Sequence, residues 1–174
     1  MLEGAAKSDA MTAWIGTPGV GARALSDLLD LRANDTDAAA TEKRTAMLRR
    51  LLSLRPLSTA EWLSLAGMRV ATARPNGEVL AALRLSSVTG PAEGKLMWQR
   101  GTLGLLQWER LPPDDRDRTM ADLAGPLADG FPSDAELALV RNILTNKPPD
   151  ARVQITARLT ADGIPAKALV RLEL

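Results

Sequence analysis

An all-α fold follows from three features of this 174-residue chain. Apolar residues recur at three- and four-residue spacing along most of its length, two S-x-x-E boxes mark helix starts, and clusters of proline, glycine and asparagine separate the periodic stretches. Turns of only a few residues join neighbouring segments, so the helices are expected to pair as antiparallel hairpins. Residues 1–21 read as a flexible or weakly structured N-terminal segment. Residues 22–174 read as a single helical domain, since no long linker or low-complexity tract divides them.

Taken in order, the first 22 residues are weakly patterned around Trp14 and Ile15, either a frayed tail or a short helix ending at Gly16. A helix is expected over 22–32, where Leu25, Leu28, Leu29 and Leu31 give an apolar stripe. Asn34-Asp35-Thr36-Asp37 is a turn, and from Ala38 to Leu54 the composition is strongly helix-forming, with Met47, Leu48, Leu51, Leu52 and Leu54 inward. Ser58-Thr59-Ala60-Glu61 fits the capping box, in which the serine oxygen takes an orphaned backbone N–H and the glutamate reaches back to the cap. Trp62, Leu65, Ala66 and Arg69 then fall on one helical face, widened by Leu63 and Val70. Pro75-Asn76-Gly77 reads as a turn, and the following helix buries Val79, Ala82, Leu83 and Ser86 before stopping near Thr89-Gly90-Pro91.

The next helix carries Leu96, Met97, Trp98, Leu103, Leu105, Leu106 and Trp108 nearly all the way round, so it is expected to be the most buried. Gly101 and Gly104 inside it cost about 1 kcal/mol each relative to alanine, which close approach of a neighbouring helix compensates. Leu111-Pro112-Pro113-Asp114-Asp115 makes a stop and a new start. A helix with Met120, Leu123 and Ala124 inward is expected to end at Gly125-Pro126. A second S-x-x-E box, Ser133–Glu136, opens a helix with Leu137, Val140, Ile143 and Leu144, closed by Lys147-Pro148-Pro149. The last 25 residues carry two signals. Val153, Ile155, Ala157 and Leu159 alternate with polar residues before Asp162-Gly163, which is the pattern of a β-hairpin. Asp150 as a cap, Gly163 as a stop and Pro165 in a first turn give instead two helices. Helix is the preferred reading, and a C-terminal β-hairpin stays open.

Composition bounds the function. With 22 basic and 21 acidic residues the net charge is +1, which gives no electrostatic reason to expect nucleic acid or an anionic membrane. Arginine outnumbers lysine roughly three to one, and without a net excess this is a compositional habit. No apolar run approaches the ~20 residues that span a bilayer. The absence of cysteine fits cytoplasm or periplasm equally. With neither histidine nor cysteine, a Ser–His triad, a thiol nucleophile and a Cys/His zinc site are all excluded. Gly16-Thr17-Pro18-Gly19-Val20-Gly21 has the glycine spacing of a phosphate-binding loop. Ala22-Arg23 follow where lysine and Ser/Thr are needed, so it reads as a plain loop. Asp35 with Asp37, and Asp114, Asp115 and Asp117, cluster at helix starts. There, negative charge meets the helix dipole favourably, and they read as solvated caps.

The hairpin from Pro56 to Thr89 resembles a tetratricopeptide-type repeat. Trp62 with Leu65 stands at the spacing of the repeat's first-helix signature, and Pro56 and Pro91 recur at close to its period of about 34 residues. Ala66 and Arg69 stand where the repeat has glycine and an aromatic. Val79, Leu83 and Ser86 fill its second helix only with one inserted residue. The resemblance implies hairpins stacked as a short right-handed α-solenoid that holds a peptide or helix of another protein in a groove. The PLSxxEW and TGPxE turns are also similar to those of bacterial accessory factors in envelope-polysaccharide assembly. That implies the cytoplasmic or periplasmic face of an envelope, with a membrane anchor upstream of this chain.

The expected function is therefore a non-catalytic protein-interaction module with no cofactor, no metal, no nucleic acid and no membrane insertion of its own, and with self-association open. The candidate partner-binding residues are Arg69, Trp98 and Arg100. Both arginines interrupt apolar faces, and tryptophan is over-represented at interfaces. The plain alternatives are a core role for Trp62, Trp98 and Trp108, and arginine stems packed flat with the charge reaching water or a carboxylate. A glycan-processing enzyme working through carboxylates, and a purely structural oligomerising domain, are the competing functions. The first needs two acids about 5–10 Å apart across a cleft.

Overall fold

The computed structural model describes Leu29 and residues 38–174, and the latter hold eight helices and no strand. The helices are α1 (Ala38–Leu54), α2 (Thr59–Ala71), α3 (Asn76–Thr89), α4 (Gly94–Leu106), α5 (Pro113–Ala128), α6 (Asp134–Thr145), α7 (Pro149–Ala161) and α8 (Ala166–Arg171). A 3-10 turn, Trp108–Arg110, lies between α4 and α5. The all-α class holds. Leu29, from the helix expected over 22–32, is helical and buried. The rest of that helix, the turn at 34–37 and the loop at 16–21 lie outside the described residues. The chain divides into two compact units, with the boundary inside α3 between Ala82 and Leu83.

In the first unit α1 lies against α2. Leu48, Leu51 and Leu52 are buried as their periodicity requires, whereas Leu54 at the helix end is exposed. Helix α2 buries Thr59, Leu63, Leu65 and Ala66, so Leu63, Leu65 and Ala66 face inward as expected, while Trp62, Arg69 and Val70 at the edges of the expected face are half-buried. Trp62 is only half-buried, and its indole N–H donates to the Pro56 carbonyl at 2.8 Å. That bond keeps the polar edge of the ring outside the apolar seam. The capping box does not form: Ser58 is the N-cap, but its hydroxyl donates to the Glu61 carboxylate and its N–H goes to the Arg55 carbonyl at 3.1 Å. Pro75-Asn76-Gly77 is not the turn. The chain reverses at Ala73, whose φ is +50°, with Arg74 N–H on the Arg69 carbonyl at 2.9 Å and Ala73 N–H on the Val70 carbonyl at 3.0 Å. This is the Schellman closure with alanine at the left-handed position. Asn76 and Gly77 begin α3, because proline's fixed φ presents its carbonyl to the first helical N–H groups.

In the second unit α4 packs along α5, α6 against α4, α7 against α5, and α8 against α7. Contact between α4 and α5 is close because glycine makes it so. A Cβ placed on Gly101 would stand 2.6 Å from Leu123 Cγ, and one on Gly104 would overlap the Thr119 side chain. Helix α4 is less thoroughly buried than its composition suggests. It buries Trp98, Arg100, Gly101, Thr102, Gly104 and Leu105, while Leu106 is exposed and Trp108 belongs to the 3-10 turn. Helix α5 runs past Gly125-Pro126 to Ala128, since Pro126 forfeits only one bond near the helix end. The stop comes at Gly130, with φ +66° and the Phe131 N–H on the Pro126 carbonyl.

The Ser133 box is complete. The Ser133 oxygen accepts from the Glu136 N–H, and the Glu136 carboxylate accepts from the Ser133 N–H at 2.8 Å. Leu137, Val140, Ile143 and Leu144 are all buried. The C-terminal segment is two helices, not a hairpin. Helix α7 buries Ala151, Ile155 and Leu159, four residues apart, and leaves Val153 and Ala157 exposed. The apolar alternation in the sequence is this inner face and outer face sampled at every second residue.

Two outcomes are expected from this packing. Gly104→Ala gains about 1 kcal/mol of helix propensity. Overpacking against Thr119 outweighs that gain, so the variant is less stable than the parent by about 1–2 kcal/mol in urea unfolding. For the Ser133 box, the Ser133 hydroxyl and backbone N–H hold the Glu136 carboxyl below its usual range. A depressed folded pKa stabilises above the unfolded pKa and is lost as pH falls through the folded one. Glu136→Gln is therefore expected to be slightly less stable than the parent at pH 7, with the gap closing as pH falls through the Glu136 titration, a small effect because the carboxylate is solvent-screened.

Candidate functional site

Arg100 lies on α4 and is 2% exposed. Its Nε and Nη2 donate to the two Asp122 carboxylate oxygens on α5 at 3.0 and 2.7 Å. Its Nη1 donates to the Gly90 carbonyl at 3.0 Å and the Ser86 carbonyl at 3.4 Å, at the C-terminal end of α3. One guanidinium thus closes a two-point ion pair and also caps carbonyls where the helix dipole favours a cation. Burial pushes the Asp122 carboxyl above the ordinary aspartate range, and the Arg100 guanidinium pulls it partly back. Trp98, one turn before Thr102, is also buried at 2% exposure. As placed, neither Trp98 nor Arg100 reaches the surface. Arg69 does so in part: its Nη1 donates to the Glu78 carbonyl at 2.7 Å and its Nε lies 3.4 Å from the Glu78 carboxylate. Burial lowers the Arg69 pKa, and Glu78 opposes that shift.

The three aspartates at the start of α5 do not converge. Asp114 is exposed, and Asp117 pairs with Arg158 at 3.0 Å. Asp115 is not the solvated cap its position suggested. It is buried and takes a two-point contact from Arg84, Nε at 2.9 Å and Nη2 at 2.6 Å, with Arg118 at 3.5 Å. Each of the two deeper carboxylates, Asp115 and Asp122, is thus held by an arginine fork. No cluster of three or more metal-ligating side chains occurs among the described residues.

The outer side of α7 is exposed and apolar. Two open clefts flank this helix. The first, of about 440 Å³, runs between α5 and α7, with Trp108 and Met120 at its base and Arg116, Asp117, Gln154 and Arg158 at its rim. The Arg116 guanidinium lies over the Trp108 ring, 5.2 Å from its centroid, and its Nε donates to the Trp108 carbonyl at 3.2 Å. That cation–π contact holds the charge at the cleft edge. The second cleft, of about 520 Å³, lies between α7 and the C-terminus and is lined by Pro149, Arg152, Val153, Thr156, Glu173 and Leu174. Pro149, Val153, Ala157 and Ala161 form a four-residue-spaced ridge between the clefts, opposite the buried Ala151, Ile155 and Leu159, and Val153 is 68% exposed. In the hairpin alternative, Val153 and Ala157 alternate in step with Ile155 and Leu159, so that register does not separate ridge from core.

No protein family matches this chain, and neither the curated proteins nor the solved structures provide a match.

Removing Arg100 alone strands the buried Asp122 carboxylate. Arg100→Met is expected to be less stable by about 3–5 kcal/mol, whereas Arg100→Met combined with Asp122→Leu recovers most of that loss. Urea titration of the single and double variants measures both.

Proposed function

We propose that this chain is a non-catalytic protein-protein interaction module. The observation that carries the proposal is the outer side of α7, an exposed apolar ridge between two open clefts on a helix whose inner face is fully packed. A fixed backbone with accessible apolar surface lowers the ordering cost that association otherwise incurs. The tetratricopeptide resemblance of Pro56–Thr89 supports the same use, with stacked hairpins serving as a scaffold for a partner segment. The turn motifs PLSxxEW and TGPxE support an accessory role at a bacterial envelope. Of the three residues that the sequence marks for partner contact, Arg69 is the one with surface to offer.

Chemical cross-linking of the full chain in native soluble and membrane fractions, read by mass spectrometry, tests the module. A discrete partner, cross-linked to the folded chain and not to chain unfolded in urea, is the expected result. The module is overturned if neither fraction yields such a protein. Arg69→Glu serves as the comparison: reduced recovery with the folded variant places Arg69 in the contact, and unchanged recovery removes it without touching the module.

A further inference from the structure

The geometry points to the outer face of α7, with its two flanking clefts, as the docking surface for an acidic amphipathic helix of another protein. This rests on the interaction-module reading and names the partner's chemistry. The shape argument comes first. Pro149, Val153, Ala157 and Ala161 follow one another at four-residue spacing, and a groove runs on each side. A ridge of that spacing between two grooves is what a second helix interdigitates with, and the short side chains of Ala157 and Ala161 let its backbone come close. Val153, 68% exposed, together with the exposed Pro149, Ala157 and Ala161, supplies the apolar surface for such a helix to bury, and the buried Trp108 and Met120 only floor the cleft beside it.

Charge decides which helix. On the flank facing α5, Arg158 is answered by Asp117 at 3.0 Å and by Asp162 at 3.9 Å. On the other flank Glu173 is answered by Arg141 at 3.6 Å. That leaves Arg116 on one flank and Arg152 on the other. Their hydrogen bonds go to main-chain carbonyls, of Trp108 at 3.2 Å and of Glu173 at 3.3 Å. Neither lies within ion-pair distance of a carboxylate among the described residues, and the Glu109 carboxylate on which Arg116 acts from further off is paired with Lys147 at 2.9 Å. Asp150 and Asp162 lie at the two ends of α7, so the middle of the ridge is bordered by guanidinium groups on both sides. A twofold-related second copy would bring each basic flank against itself, which rules against self-pairing here. A helix with an apolar stripe edged by glutamates meets both arginines.

The test titrates the full chain with two labelled helical peptides of about 18 residues. Each carries leucine and alanine at three- and four-residue spacing. Glutamate borders the stripe in one, and lysine replaces it in the other. The glutamate peptide is expected to bind saturably and about tenfold more tightly than the lysine peptide. Val153→Glu, at an exposed position that leaves the fold intact by circular dichroism, lowers that affinity by about tenfold or more. Arg116→Gln with Arg152→Gln abolishes the preference between the peptides. Equal affinity for both peptides, no saturation up to about 1 mM, or indifference to Val153→Glu overturns the docking surface. So does a concentration-dependent dimer of the full chain in sedimentation analysis that Val153→Glu abolishes, which would mean that a second copy covers the ridge. A cross-linked partner found elsewhere on the chain while the peptides fail overturns this surface and leaves the module standing. Failure of both experiments removes both.

Discussion

The second unit is organised around one buried guanidinium. Arg100 reaches from α4 both to the Asp122 carboxylate on α5 and to the Ser86 and Gly90 carbonyls at the end of α3. The geometry is what makes a buried charge tolerable. Two parallel N–H···O bonds neutralise it, and a third N–H group reaches the Ser86 and Gly90 carbonyls at the end of α3. Such a pair adds little net stability over a well-packed apolar one. It is demanding about position, however, and it accepts one register of α4 against α5.

That register is the one the glycines permit. With Gly101 and Gly104 facing Leu123 and Thr119, the α4 and α5 backbones approach more closely than any side chain at those positions allows. Arg100 and Gly101 are adjacent on α4, as are Asp122 and Leu123 on α5. The polar lock and the close-packed patch are thus neighbouring parts of one contact. Arg84 with Asp115 repeats the arrangement from α3 to the start of α5, and Thr119 returns its hydroxyl to the Asp115 carbonyl at 2.8 Å. The arginine-rich composition therefore has a structural use, as forks that hold carboxylates.

The proposed binding face is assembled from what this core leaves over. Helix α5 carries Arg116 and Asp117 to its outer side while committing Asp115, Thr119 and Asp122 inward. Helix α7 packs Ala151, Ile155 and Leu159 against its neighbours and presents the opposite ridge outward. Since Ile155 and Leu159 are almost fully buried, the ridge rests on packed side chains and keeps its shape without a partner.

The amino-acid sequence by itself determined the helical class and most helix positions, because caps, prolines and apolar spacing act locally and are legible without knowing what lies opposite. Ser133–Glu136 formed as read, and the glycines of α4 met the neighbouring helix they implied. Tertiary structure decided what depends on distant groups. Trp62 turned its edge outward to reach the Pro56 carbonyl, Ala73 took the left-handed position for which Asn76 and Gly77 are the better-suited residue types, and α5 ran through Pro126. Asp115 went inward because Arg84, 31 residues earlier in the chain, was there to meet it. The same reason governs the candidate site. Arg100 and Trp98 carry the signal of unusual residues on apolar faces, and that signal is identical whether such a residue meets a partner protein or its own carboxylate. Only the fold placed Asp122 within 2.7 Å of Arg100, and only the fold separated the exposed ridge of α7 from its buried face.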